Sequence, residues 1–164
     1  MKIVLITNNG SVIGKKILQA IMSNKISLDA VVVIKQPLKY YWKLFKSVMK
    51  RTGLLDTLFF SLTRLSHNIR RRFLTGDNDG IKKYEDLGIP LIYTKGTNSK
   101  MTLNFLKTLS PDLIILGQTG IIKKALLGIP RIGTLNAHPG ILPFYRGVDC
   151  AKWAFMNNEF NKVG

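Results

Sequence analysis

Ile3-Val4-Leu5-Ile6-Thr7-Asn8-Asn9-Gly10-Ser11, answered downstream by Ala30-Val31-Val32-Val33-Ile34, decides the fold of this chain. Each apolar run is continuous rather than alternating and rich in β-branched residues. That is the pattern of a strand covered on both faces, as in a parallel sheet. Asn8-Asn9-Gly10 ends the first run with turn chemistry. Ile13, Ile17, Leu18 and Ile21 then recur at helical spacing behind Ser11, a side chain suited to cap a helix N-terminus. Strand, helix, strand in this order implies a right-handed crossover and a parallel sheet.

The same alternation resumes later. Pro90 to Tyr93 reads as a short strand. Ser99 to Leu109 reads as a helix with Ser99 as its cap and Leu103, Leu106 and Leu109 on one side. Asp112 to Gly117 reads as a buried strand, Ile121 to Leu127 as a short helix stopped by Gly128 and Pro130, Gly133 to His138 as a further strand, and Gly147 to Asn157 as a last helix. The expectation is an α/β, Rossmann-like, mostly parallel sheet with helices on both faces, built as one domain over residues 1–164.

Between roughly residues 37 and 80 the pattern changes. Pro37 ends the α/β run, and Tyr40 to Phe73 has helical periodicity with many cations. Leu55, Leu58, Phe59, Leu62, Leu65, Ile69 and Phe73 form one stripe at spacings of three and four. Gly76 to Gly80 closes it with a turn, and Ile81 to Leu87 reads as a short helix stopped by Gly88. This basic amphipathic excursion is expected to pack on the domain or on a partner. Its cations, with Tyr40, Tyr41, Trp42 and Phe45, make an acidic membrane surface a second candidate. Arg70 to Arg72 and His67 read as solvated.

The charge balance is 25 Lys+Arg against 9 Asp+Glu, a formal net charge of +16. Such a chain attracts anions: phosphates, nucleic acid or an acidic membrane. One cysteine, Cys150, excludes an intrachain disulfide and suits a reducing compartment. The N-terminal apolar run is too short for a signal peptide, and Leu54 to Leu65 is too short for a bilayer span. A cytoplasmic location is the expectation.

Asn136 and His138, two apart on the expected strand, fall on one face at its C-terminal end, where open α/β sheets bind ligands. An amide and an imidazole side by side suit acyl transfer. The amide N–H donates to a carbonyl oxygen as it becomes an oxyanion, and the imidazole donates or moves a proton. Such a pair near a strand end is otherwise a set of loop hydrogen bonds. The turn Asn8 to Ser11 has the same two readings, an anion cradle or a tight turn.

The context narrows the choice. Asn136-Ala137-His138-Pro139-Gly140-Ile141-Leu142-Pro143-Phe144-Tyr145-Arg146-Gly147, with Trp153 following, resembles the signature of the folate-dependent formyltransferases. That family includes methionyl-tRNA, glycinamide ribonucleotide and sugar-amine formyltransferases. Gly140 stands where many members have Ser, and Ile141 where they have Leu, changes expected to be mild in a loop wall. Pro111 to Gly117 and the loop Gln118 to Ile122 resemble the family too.

The resemblance implies a function. Asn136 and His138 would flank the formyl group of 10-formyltetrahydrofolate. Gly140, Ile141, Leu142 and Pro143, with Gln118, Thr119, Gly120, Ile121 and Ile122, would line the folate. An amine acceptor, on tRNA or a nucleotide-linked amino sugar, would attack the formyl carbon with no metal and no covalent enzyme intermediate. The family's third catalytic residue, an Asp beyond a Gly-Val-Thr strand, has no counterpart here: Asp149 and Glu159 stand in the wrong places. The chain is therefore expected to be truncated, to lack the last strands of the sheet, to be inactive alone, and to expose a sheet edge prone to association. The alternatives are a non-catalytic paralogue that binds folate or a partner, and a hydrolase releasing formate from the same folate.

Overall fold

The computed structural model describes residues 1–59, 61–63, 66, 88–147 and 149–163. The chain divides into two compact units, Met1–Thr134 and Leu135–Gly164. The elements of the first are β1 (Ile3–Asn8), α1 (Val12–Ser23), β2 (Ala30–Ile34), α2 (Leu38–Thr52), β3 (Leu91–Thr94), α3 (Lys100–Leu109), β4 (Leu113–Gly117) and α4 (Lys124–Leu127). β5 (Gly133–Asn136) leads out of it. The second unit holds α5 (Cys150–Met156) and a 3₁₀ turn at Phe160–Lys162. Residues 54–59 and 61–63 are also helical.

The sheet order is β3-β2-β1-β4-β5. β1 pairs parallel with both β2 and β4, with Val4 opposite Ala30 and Ile114, and β2 pairs parallel with β3. The strands read as unbroken apolar runs because both faces are covered. On one face Val4, Ile6, Val32, Ile34, Ile114 and Leu116 pack with Leu106 of α3 and Leu126 of α4. On the other, Ile3, Leu5, Val31 and Val33 pack with Leu18 and Ile21 of α1. This is the Rossmann-like, doubly wound arrangement that the alternation implied.

Two of the expected caps form as read. Ser11 accepts the Gly14 N–H at 2.9 Å, and Ser99 accepts the Thr102 N–H at 3.2 Å. Each satisfies an amide that the helix itself leaves without a partner. Gly14 has a second role. A Cβ there would stand 1.9 Å from Thr7 Oγ1, whose hydroxyl donates to the Gly117 carbonyl at 2.7 Å. The bare glycine lets α1 lie directly on β1 and β4.

Several boundaries differ from the sequence reading. Residues 121–123 are not helical, and α4 starts only at Lys124. Its first residues are diverted because the Lys123 N–H bonds Asn98 Oδ1 and the Ile121 carbonyl accepts from Asn98 Nδ2. α5 begins at Cys150, after Asp149 in a left-handed conformation at φ 58°. β5 ends at Asn136, so His138 lies beyond the strand.

The excursion is helical where described, and the described members of its apolar stripe are exposed. Leu55, Phe59 and Leu62 are 82%, 72% and 65% exposed. Arg64, Leu65, His67, Ile69, Arg70 to Phe73, Gly76 to Gly80 and Ile81 to Leu87 lie outside the described residues.

Candidate active site and family

In the second unit Asn136 closes β5 with its side chain exposed, and His138 is half-buried two residues on. Because the strand has ended, pleating does not orient His138. The loop does: its Nδ1 lies 2.8 Å from the Gly140 carbonyl. With Nδ1–H donating there, Nε2 carries the lone pair. Nε2 stands 3.6 Å from Cys150 Sγ, and the thiol also lies 3.1 Å from the Gly147 carbonyl. Cys150 is buried against the imidazole. No sequence spacing announced that contact, because it depends on the turn that carries α5 back to the loop. Among the described residues, neither partner of His138 is a carboxylate.

Gly140 is more constrained than a loop-wall position. A Cβ there would meet Cys150 Cβ at 2.7 Å and Tyr145 Cβ at 2.9 Å. The side chain that many relatives carry at this position would not fit without movement, so the change from Ser is not mild in this chain. Ile141, Leu142 and Phe144 are exposed. Their loop is fastened to the segment that follows α5: the Ile141 N–H donates to the Lys162 carbonyl at 3.0 Å, and Gly140 bridges antiparallel to Val163.

Glu159, discarded from sequence as a catalytic acid, has a clear structural place. It accepts from the Tyr145 hydroxyl and from Lys162 Nζ, while Asn157 Nδ2 donates to the Tyr145 oxygen at 2.9 Å. Lys162 first, then the Tyr145 hydroxyl, holds the Glu159 carboxyl below its ordinary range. The Glu159 hydrogen bond pushes the Tyr145 phenol up.

In the first unit, Gln118 to Ile122 follows the C-terminal end of β4. Gln118 and Gly120 adopt positive φ, 64° and 79°. The loop is held by its carbonyls. Asn8 Nδ2 donates to Gln118 O at 2.6 Å, Thr97 Oγ1 to Thr119 O at 2.9 Å, and Asn98 Nδ2 to Ile121 O at 2.8 Å. The Gln118 side-chain oxygen lies 3.0 Å from the Ser11 hydroxyl. Thr119 is buried, whereas Ile121 is 88% exposed. Asn8 to Ser11 is a tight turn with Gly10 at φ 76°. The loop and the Asn136–His138 segment belong to different units. Among the described residues no group of three or more His, Cys, Asp or Glu could hold a metal ion. No helix there is long and apolar enough to cross a membrane.

The profile of the formyl transferase family matches residues 72–161. The methionyl-tRNA formyltransferase of Thermotoga neapolitana is 37% identical over 76 residues, 46% of this chain and 24% of the relative. That of Clostridium tetani is 43% identical over 63 residues, 38% of this chain and 20% of the relative. The matched stretch thus spans about a quarter or less of these relatives. Among solved structures, phosphoribosylglycinamide formyltransferase from Bacillus halodurans superposes with a TM-score of 0.53 at 18% identity, covering 95% of this chain and 66% of that one. At that identity the likeness concerns the fold. The profile covers more than half of the sequence and includes the whole Asn136 to Gly147 signature: the chain belongs to the formyl transferase family.

Proposed function

We propose that this chain carries the formyl-transfer site of an enzyme that moves a formyl group from 10-formyltetrahydrofolate to an amine. The observation that carries the reading is the Asn136-x-His138-Pro139-Gly140-Ile141-Leu142-Pro143 signature at the end of β5, inside the segment that matches the family. The folate supplies the formyl carbon. Asn136 donates its amide N–H to the formyl oxygen as that oxygen gains negative charge. His138, oriented through Nδ1 on the Gly140 carbonyl, presents Nε2 for proton movement once Cys150 gives way. Within Gly140 to Pro143, the exposed apolar side chains of Ile141 and Leu142 suit the flat face of a pterin.

Methionyl-tRNA is the favoured acceptor. The relatives from Thermotoga neapolitana and Clostridium tetani carry that name, and a net charge of +16 suits a polyanion. The decisive assay is single-turnover transfer from 10-formyltetrahydrofolate, with methionyl-tRNA and a nucleotide-linked amino sugar tried in parallel and folate affinity measured separately. Formylated acceptor is the expected product. Formate alone would establish a hydrolase, and folate binding without turnover a binding paralogue. Because no carboxylate stands against His138 among the described residues, transfer by the 164-residue chain is expected to be slow. General acid–base assistance is typically worth about 10²- to 10⁴-fold.

A further inference from the structure

The helical stretch after β2 has two features that neither the fold nor formyl transfer uses. The first is cationic. In α2, Lys39, Lys43, Lys46 and Lys50 recur at steps of four, three and four, which lines them on one face of the helix. All four and Arg51 are exposed. α2 contains no acidic residue, and among the described residues none of these five cations has an acidic partner. Trp42 stands in the same stripe, 61% exposed, stacked on Phe45 at 5.8 Å with Lys46 Nζ 5.4 Å from its ring.

The second feature is apolar and follows at once. Gly53, at φ 86°, ends α2. Leu55, Leu58, Phe59 and Leu62 then fall on one face at helical spacing within the helical residues 54–59 and 61–63, at 82%, 44%, 72% and 65% exposure. Large apolar side chains grouped on an exposed face mark a binding surface.

We propose that this stretch docks on an anionic lipid surface and lies in the plane of the interface. Leu55, Phe59 and Leu62 enter the boundary between headgroups and acyl chains, Trp42 sits at headgroup level, and the α2 lysines meet lipid phosphates. Charge complementarity selects this occupant. A nucleic acid would use the lysines but leave the leucine–phenylalanine face in water. A second copy of the chain would cover that face only by bringing two lysine stripes and two net charges of +16 together. An anionic bilayer satisfies both features at once.

The test is co-sedimentation of the 164-residue chain with vesicles of phosphatidylcholine alone and of phosphatidylcholine with 30% phosphatidylglycerol. Tryptophan emission is read in a Trp153→Phe background, so that Trp42 alone reports. The expected result is binding to the anionic vesicles, weakened by salt, with a blue shift of Trp42. Pure phosphatidylcholine should bind more weakly by at least ~10²-fold, since each lysine contributes roughly fivefold at such a surface. Lys43→Glu/Lys46→Glu/Lys50→Glu should remove binding. Leu55→Ser/Phe59→Ser/Leu62→Ser should remove the blue shift and lower affinity at least tenfold. Unchanged affinity in the serine variant would reduce the effect to electrostatic adsorption and overturn the proposal. So would equal binding to both vesicle types, or sedimentation velocity showing a dimer that needs Leu55, Phe59 and Leu62. Because the vesicle comparison and the salt series use the unmutated surface, a variant that misfolds leaves the proposal open to refutation.

Discussion

Replacing Gly14 with Ala tests how α1 is seated on the sheet. On an isolated helix this change is favourable by about 1 kcal/mol, because glycine is a poor helix former. Here the new Cβ would fall 1.9 Å from Thr7 Oγ1 and 2.7 Å from Thr7 Cβ, on a residue fully buried in β1. Overpacking of this kind costs roughly 1–3 kcal/mol, sometimes more. Moving the hydroxyl also breaks its 2.7 Å hydrogen bond to the Gly117 carbonyl, which keeps the Ser11 hydroxyl at 3.3 Å, so the loss is that of one ordinary hydrogen bond, about 0.5–1.5 kcal/mol. The two penalties outweigh the propensity gain, for a net loss of about 2 kcal/mol. For a domain of this size that lowers Tm by roughly 4–8 °C. Urea unfolding measures it as a lower midpoint at constant m-value. All three close contacts come from Thr7. Thr7→Gly in the Gly14→Ala background should therefore lose at least ~1 kcal/mol less than the two single changes predict together. A Gly14→Ala protein as stable as the parent, or more so, would refute the close approach of α1 to β1 and β4.

Asn136→Ala should slow the chemical step by about 10²- to 10³-fold and change folate affinity little, since an oxyanion donor acts on the transition state. His138→Ala should behave alike, and the double variant should lose far less than the product of the two. A change in affinity alone would make Asn136 a binding contact. Gly140→Ser should destabilise by about 1–3 kcal/mol in denaturant unfolding, because Cys150 and Tyr145 already fill the space. Equal stability would return Gly140 to the role of a plain loop wall.

The depressed carboxyls of Glu159 and Asp112, the latter held by Arg131 and the Lys2 N–H, mean that the unfolded chain binds more protons below about pH 4.3. Their contribution is complete above that pH and lost as pH falls through the lower folded values. The raised Tyr145 works in reverse: its contribution is present below about pH 10 and lost as pH rises through its folded value. Urea midpoints plotted against pH should fall at both ends. Glu159→Gln should flatten the acid limb and bring phenolate absorbance in at lower pH; an unchanged phenolate titration would show that Glu159 does not hold Tyr145.

What the sequence determined by itself follows from short-range rules. Ile3 to Ile6 and Ala30 to Ile34 are apolar without alternation because both faces are buried, which is why parallel strands were legible. Ser11 and Ser99 are legible because a cap lies within three residues of the amide it satisfies. Asn136 and His138 were legible because the signature is contiguous. Tertiary structure decided what depends on distant partners. Asn98 unwinds residues 121–123 from 23 and 25 residues away. Gly14 is required by a threonine on another element, and Gly140 by Cys150 and Tyr145. His138 lies past the end of its strand, oriented by the Gly140 carbonyl and faced by Cys150. The periodicity that marked Leu55, Phe59 and Leu62 as one face was the same whether that face was covered or bare. Only the packing could decide between the two, since hydrophobic spacing records which residues lie together and not what lies against them.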